Sequence, residues 1–196
     1  MILRYLLIAV IGYLLGSIST GILYSRYLGQ DIRTQGSKNA GATNMTRVHG
    51  WAKGGITFAG DCIKGVLATL IGMWIAGTPG MLIGGAFAAI GHMWPVFFGF
   101  KGGKGMSTLI GAAFVVDPLV MGIMAVFAAL VIYFTKYVSL ASITGLVIFT
   151  IAVTIHRGFW PIGAWALAMT LLGCWRHKAN IQRLLNGTEN KIRASK

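Results

Sequence analysis

Long apolar stretches alternate with short polar ones along the whole chain. Apolar runs fall at about 4–24, 56–76, 79–98, 105–116, 118–135, 138–155 and 158–175, and several approach the ~20 residues that a helix needs to cross a bilayer. The fourth run is short. It parts from the fifth at Asp117-Pro118, where proline removes a backbone donor and disfavours helix in the residue before it. The pattern predicts an all-α integral membrane protein with six or seven spans.

Charge decides between six and seven. With seven spans and the N-terminus outside, the inner segments hold Arg26, Arg33, Lys38, Arg47, Lys53, Lys101, Lys104 and Lys136, and the tail adds Arg176, Lys178, Arg183, Lys191, Arg193 and Lys196. The outer side keeps only Arg4 and Arg157, and Lys64 lies within the second run. Such a bias is what the positive-inside rule expects. Fusing spans four and five would place the basic tail outside. The expected architecture is a single seven-helix domain over 1–196, with a cytoplasmic loop at about 25–55 and an amphipathic C-terminal tail over 176–196. The first run could instead be a secretory signal, given Arg4, its apolar core, and Gly16 and Ser17. The polar positions Ser17, Ser19 and Thr20 favour a helix facing protein, and cleavage would leave the rest of the topology unchanged.

Composition sharpens this picture. Hydrophobic residues make up 56% of the 196 positions and charged ones 11%, against ~25% charged in ordinary soluble domains. Four acids face seventeen Lys and Arg, so most cations lack a carboxylate partner. Phosphates, on lipid headgroups or substrates, are the natural complement. Nucleic acid is the other usual partner of a basic chain, but the apolar runs leave little soluble surface for it. Cys62 and Cys174 sit inside apolar runs with no C-x-x-C spacing, so they read as packing residues and no metal site is expected. Most of the 28 glycines serve close approach of membrane helices. Only those in polar loops are candidates for ligand contact. "WAKGG" and "GFKGGKG" echo each other through glycine alone, and no internal repeat emerges.

Three polar islands fall on the inner side of this topology. The first is "QGSKNAGATNMTR" (35–47). Gly36 and Gly41 permit positive φ, so successive amides can turn toward one point. Ser37, Asn39, Thr43 and Asn44 add neutral donors, Ala42 lies among them, and Arg47 offers a fork for phosphate. Amides beside an uncontested cation form an anion site. A plain surface turn is the alternative, but it would mix in acids and this stretch has none. The second island, "KGGKGMST" (101–108), fails the G-x-x-x-x-G-K-[ST] template, because Lys104 is followed by Gly105 and no strand precedes it. What remains are the amides of Gly102, Gly103 and Gly105, the Lys104 ammonium, and a helix N-terminus with its partial positive charge. A basic glycine turn that merely obeys the topology rule is the alternative. The third is "RHKANIQRLLNGTE" (176–189). Arg176, His177 and Asn180 share a helix face, Ile181, Leu184 and Leu185 form an apolar stripe, and Asn186-Gly187 reads as a helix stop. An amphipathic end with lipid-facing cations is equally compatible.

Other polar positions read as structural. Asp61 and Lys64 are i, i+3 and can pair inside the second span, and His92 reads as a hydrogen-bonded helix contact. His49 and His156 give no signal. No H-x-x-x-x-D spacing, paired-aspartate motif or G-x-S-x-G elbow exists, which disfavours metal and serine-nucleophile chemistry. No cofactor is expected.

The islands, in order and at matching spacing, resemble the acyl-phosphate:glycerol-3-phosphate acyltransferases, the PlsY type of bacterial membranes. The likeness runs through "GSISTG" (16–21), "GSKNAGATNMTR" (36–47), "DCIKG" (61–65), "GHMWPVFFGFKGGKGMST" (91–108), "YVSLASIT" (137–144) and "RHKANIQRLLNGTE" (176–189). One departure is Ser19, where the family often has proline. The resemblance implies a multi-pass protein of the cell (plasma or inner) membrane, with seven spans and an active site facing the cytoplasm. It implies acyl transfer from acyl phosphate to the sn-1 hydroxyl of glycerol 3-phosphate, giving lysophosphatidic acid and inorganic phosphate, the first acylation of bacterial phospholipid synthesis. The catalytic set it implies is Ser37, Asn39, Lys104, His177 and Asn180. Substrate contacts fall to Gly36, Gly41, Ala42, Thr43, Asn44, Arg47, Gly102, Gly103, Gly105 and Ser142. Asp61, Lys64, His92, Arg176, Arg183 and Glu189 stand behind them as support. Residues 36–44 with Asn180 would cradle the donor phosphate, and Arg47, Lys104 and His177 would clamp glycerol 3-phosphate. The alcohol proton could pass to His177 or to the departing phosphate. The bilayer is the expected partner, and no obligate protein partner is indicated. Two other classes remain: an organic-phosphate carrier, which would place its groups near the midplane in related halves, and an acyl-CoA-dependent transferase, which would need an adenine site.

Overall fold

A computed structural model of the chain describes residues 1–192, so Arg193 and Lys196 of the expected tail lie outside the described residues. All regular structure among the described residues is helical. The described residues divide into two compact units, Met1–Val115 and Val116–Ile192.

In the first unit the opening apolar run is two helices. α1 (Ile2–Ser17) and α2 (Thr20–Tyr27) are separated by Ile18 and Ser19 in extended conformation. The break therefore exists with serine at position 19. A short turn at Ile32–Thr34 leads to α3 (Ala42–His49), and Gly50 with φ +89° starts α4 (Trp51–Met93). α4 folds back on itself at Ala76 and Gly77, where Gly77 adopts φ +59°, ψ −146°. Its two arms lie antiparallel through small residues: Gly72 touches Gly80, and Gly84 faces the Ala68 carbonyl. α1 packs along the second arm in the same way, with Gly12 against Gly84, Gly16 against Ala88, and Gly91 against Tyr13. α5 (Met106–Val116) approaches the first arm where Gly65 meets Thr108 and Gly111 meets Cys62. A Cβ at any of these contacts would strike backbone, so the glycines serve close helix approach, as expected inside a membrane.

In the second unit, α6 (Pro118–Thr135) begins where the Asp117-Pro118 break was expected. Asp117 Oδ1 accepts from the Val120 N–H at 3.0 Å and caps the helix, with proline in its first turn. α7 (Val138–Arg157), a turn at Phe159–Gly163, α8 (Ala164–Arg176) and α9 (Lys178–Leu185) follow. Thr150 and Thr170 hydrogen-bond at 2.8 Å, and Thr170 also donates to the Leu146 carbonyl at 3.0 Å, which joins α7 to α8. His156 carried no signal in the sequence, yet its Nδ1 lies 2.7 Å from Asp117 Oδ2. Burial pushes the Asp117 carboxyl up. The Val120 N–H, His156 and Arg157 outweigh it and hold the group below its usual range.

Among the described residues, four helical stretches are long and apolar enough to cross a membrane: Ile2–Tyr27, Trp51–Phe98, Pro118–Thr135 and Val138–Arg157. The second has 48 residues and contains the fold-back of α4. α5, with 11 residues, is shorter than a full crossing.

Candidate active site

The first polar island is a loop wrapped around one asparagine. Asn44 is buried at 1% exposure in the first turn of α3. Its Nδ2 donates toward the carbonyls of Ile32 (3.2 Å), Gln35 (3.0 Å) and Asn39 (2.9 Å), and its Oδ1 accepts from the Ser37 N–H at 2.9 Å. The side chain expected at the ligand is instead spent on the loop. Asn39 is closer to the expectation: it is half-buried, and its Oδ1 accepts from the Gly41 N–H at 2.9 Å. The Lys38 N–H reaches the Gln35 carbonyl at 2.8 Å. Three amides of the expected anion cradle therefore serve the loop itself. The side chains it displays are the exposed Ser37 and the half-buried Asn39, Thr43 and Arg47, with Ala42 half-buried at the start of α3.

Gly36 has φ +55°, and a Cβ there would collide with Asn44 Oδ1. Both conformation and space require glycine at this position. Beneath the loop, Ile22, Ile32, Ala40 and Met45 form a buried cluster. Ser25 on α2 anchors it by accepting from the Ile32 N–H at 3.1 Å.

Arg33 ties this loop to the second island. Asp31 caps the turn at Ile32–Thr34 and holds Arg33 at 2.7 Å, while Arg33 Nη1 donates to the Phe98 carbonyl at 2.9 Å. The Arg33 guanidinium keeps the Asp31 carboxyl at about 2, against a smaller opposing effect of burial, and the same pairing raises the arginine. In the sequence Arg33 stands only as one of the inner-side cations. The spacing of Asp31, the sole acid of the 25–55 loop, to a cation two residues on was the signal available.

The second island rests on His92. The Gly103 N–H donates to the His92 carbonyl at 3.1 Å. A Cβ on Gly102 would strike that carbonyl, and one on Gly103 would strike His92 Nε2. Gly105, at φ +82°, packs on Met93. The expected phosphate-facing role of the Gly103 amide is thus taken by the protein. Glycine at 102 and 103 allows contact with the helix behind them. Lys104 is half-buried between them and the N-terminus of α5, and it is engaged in a contact of its own.

In the second unit the third island is organised by Glu189. Its Oε1 accepts from Ser139 (2.9 Å) and Asn180 Nδ2 (2.7 Å), and its Oε2 accepts from Arg183 Nε (2.8 Å). Burial raises the Glu189 carboxyl, but these three donors outweigh it and hold it below the ordinary glutamate range. The chain returns to α9 through Gly187, at φ +67°, and the Ile192 N–H donates to the Lys136 carbonyl at 2.8 Å. His177 and Asn180 are buried, at 2% and 5% exposure. His177 Nδ1 is 2.8 Å from the Gly173 carbonyl. A carbonyl only accepts, so Nδ1 carries the proton and Nε2 is the basic nitrogen of the neutral ring. Ser142 lies one turn beyond Ser139 on α7 and donates to the Val138 carbonyl at 2.9 Å. Arg176 is half-buried, with its guanidinium 6.0 Å from the Trp175 ring centroid.

All four acids of the chain thus lie against cations: Asp31 against Arg33, Asp61 against Lys64, Asp117 against Arg157, and Glu189 against Arg183. Among the described residues no group of three or more His, Cys, Asp and Glu could hold a metal ion.

Residues 6–187 match the family described as glycerol-3-phosphate acyltransferase. A glycerol-3-phosphate acyltransferase of Clostridioides difficile (strain 630) is 46% identical over 201 residues, covering 97% of each chain. One of Thermoanaerobacter sp. (strain X514) is 43% identical over 187 residues, covering 95% of this chain and 94% of the relative. Among solved structures, the glycerol 3-phosphate form of PlsY (YgiH), an integral membrane glycerol 3-phosphate acyltransferase, superposes with a TM-score of 0.92 at 36% identity over 96% of both chains. Its lysophosphatidic acid form gives 0.87 at 36% identity, over 95% of this chain and 94% of that one.

Proposed function

Because the chain belongs to the glycerol-3-phosphate acyltransferase family, we propose that it transfers an acyl group from acyl phosphate to the sn-1 hydroxyl of glycerol 3-phosphate. It is an integral membrane acyltransferase of phospholipid synthesis. In this reading it is a single seven-span domain of the cell membrane, with the N-terminus outside and the three polar islands on the cytoplasmic side. The fold-back of α4 and the positive-inside bias support that topology.

The products are lysophosphatidic acid and inorganic phosphate. The sn-1 oxygen bonds to the acyl carbon, the acyl–phosphate C–O bond breaks, and the electron pair leaves with phosphate. Acyl phosphate is already a mixed anhydride, so no covalent acyl-enzyme is required. Ser37, Asn39 and Asn180 cradle the donor phosphate as charge grows on its leaving oxygen; one such donor contributes ~2.7–4 kcal/mol in other enzymes. Arg47, Lys104 and His177 clamp glycerol 3-phosphate, and Ser142 adds a hydrogen bond. Holding two reactants in line supplies a further ~7–11 kcal/mol.

The observation that carries this reading is the pairing of all four carboxylates with Lys or Arg side chains, which matches the remaining cations to substrate phosphate. In this reading the departing phosphate is the proton acceptor, and His177, whose Nδ1 faces the Gly173 carbonyl, binds substrate.

Phosphate release from palmitoyl phosphate and glycerol 3-phosphate, with palmitoyl-CoA in a parallel reaction, tests the proposal. Turnover is expected with the acyl phosphate alone and is lost in Lys104→Ala. Turnover with CoA would overturn the donor, and no turnover by folded protein would overturn the activity. His177→Ala is expected to raise KM while keeping most of kcat; loss of kcat at unchanged KM would make the histidine the base.

A further inference from the structure

Three buried charged or ionisable groups lie behind the glycine–lysine loop and take no part in the chemistry above. Asp61, Lys64 and His92 are exposed by only 0%, 7% and 3% at their side chains. Lys64 Nζ lies 2.7 Å from the Ile18 carbonyl, 2.9 Å from Asp61 Oδ1 and 2.9 Å from His92 Nδ1. An ammonium has three donors and no acceptor, so these contacts can use all three, and His92 Nδ1 also lies 3.5 Å from Asp61 Oδ1.

Its outer contacts join two separate features. At the α1–α2 break, Lys64 satisfies the Ile18 carbonyl, and Asp61 Oδ1 accepts from the Thr20 N–H at 3.3 Å. The ion pair thereby serves both polar ends of the interruption. On the other side His92 supports the second island: its carbonyl accepts from the Gly103 N–H, and a Cβ on Gly103 would collide with its Nε2. Lys104 follows directly.

We propose that Asp61, Lys64 and His92 are positioning residues that set the height of the Gly102–Lys104 loop, and hence of the Lys104 ammonium, through the break in the first span. The inference rests on the reading that this loop binds glycerol 3-phosphate. The ring of His92 sets the loop and the ion pair sets the ring, so a fault in either misplaces Lys104 without altering its charge.

The test measures kcat and both KM values for the full-length enzyme, with its melting temperature. His92→Asn keeps an acceptor for Lys64 but removes the ring from Gly103. Its KM for glycerol 3-phosphate is expected to rise about tenfold, while kcat and the acyl phosphate KM stay within about twofold. A merely structural role would lower the active fraction, and so apparent kcat, with both KM values unchanged, and that outcome overturns the proposal. Should His92→Asn not fold, the charge-neutral pair Asp61→Asn with Lys64→Met is read by the same two KM values. Binding of glycerol 3-phosphate to the Lys104→Ala protein, measured by calorimetry, separates the two levels. If it binds as tightly as to the unsubstituted enzyme, the loop reading and this inference fall together. If Lys104→Ala weakens binding while the KM of the His92 variant does not rise, only this inference falls.

Discussion

The loop around Asn44 and the tail around Glu189 solve mirror-image problems. Three backbone carbonyls converge on the first, from Ile32, Gln35 and Asn39, so a neutral amide that can donate fills the centre. Three donors converge on the second, from Ser139, Asn180 and Arg183, so a carboxylate that can only accept fills it. The sign of the surrounding groups selects the residue. One consequence is that the tail has a titrating group at its heart, while the amide holding the loop does not.

Asn44→Asp should have the largest effect, because it keeps the shape and reverses the chemistry. The three carbonyls would face acceptor oxygens, at a cost of about 1–3 kcal/mol for each buried group left without a donor. Activity is expected to fall more than about a hundredfold with a clear loss of melting temperature. Near wild-type turnover would show that the loop is held by something else.

Acid should release the tail but not the loop. The folded Glu189 pKa lies below its ordinary value, so its contribution is fully present above the unfolded glutamate range of about 4.3 and is lost as pH falls through the folded value. Amide exchange at Ile192 and Thr188 should quicken there relative to Ser37 and Gly41. Equal change in both sets would erase the contrast. Ser139→Ala should have the smallest effect. It removes one of three donors to Glu189, worth ~1 kcal/mol, or a shift of about 2–4 °C in Tm, with turnover within about twofold. A larger loss of turnover would place Ser139 nearer the substrates than its contact with Glu189 implies.

How these centres would be built was only partly legible. The islands stood out because polar residues rarely sit between membrane-length apolar runs, and Asp61–Lys64 could be paired from spacing alone. Asn44 read as a ligand contact because nothing local shows that three carbonyls, the farthest twelve residues back, turn toward it. Glu189 could be set among the supporting residues, but its partner Ser139 lies fifty positions away. The His156–Asp117 contact spans thirty-nine and left no local trace. The break at Ile18–Ser19 left no local trace either. Its polar ends are met by Asp61 and Lys64, forty-one and forty-six positions further along the chain.

Periodicity, charge asymmetry and motif order are properties of the chain itself, so the sequence alone determined the helical membrane class, the separation of polar islands from apolar runs, and the family. Which polar atoms remain for a substrate depends on which are consumed by neighbours distant in the chain. Only the tertiary structure decided that, spending Asn44, the Gly103 amide and every carboxylate on the protein, because a buried donor or acceptor must be satisfied before any surplus can face a ligand.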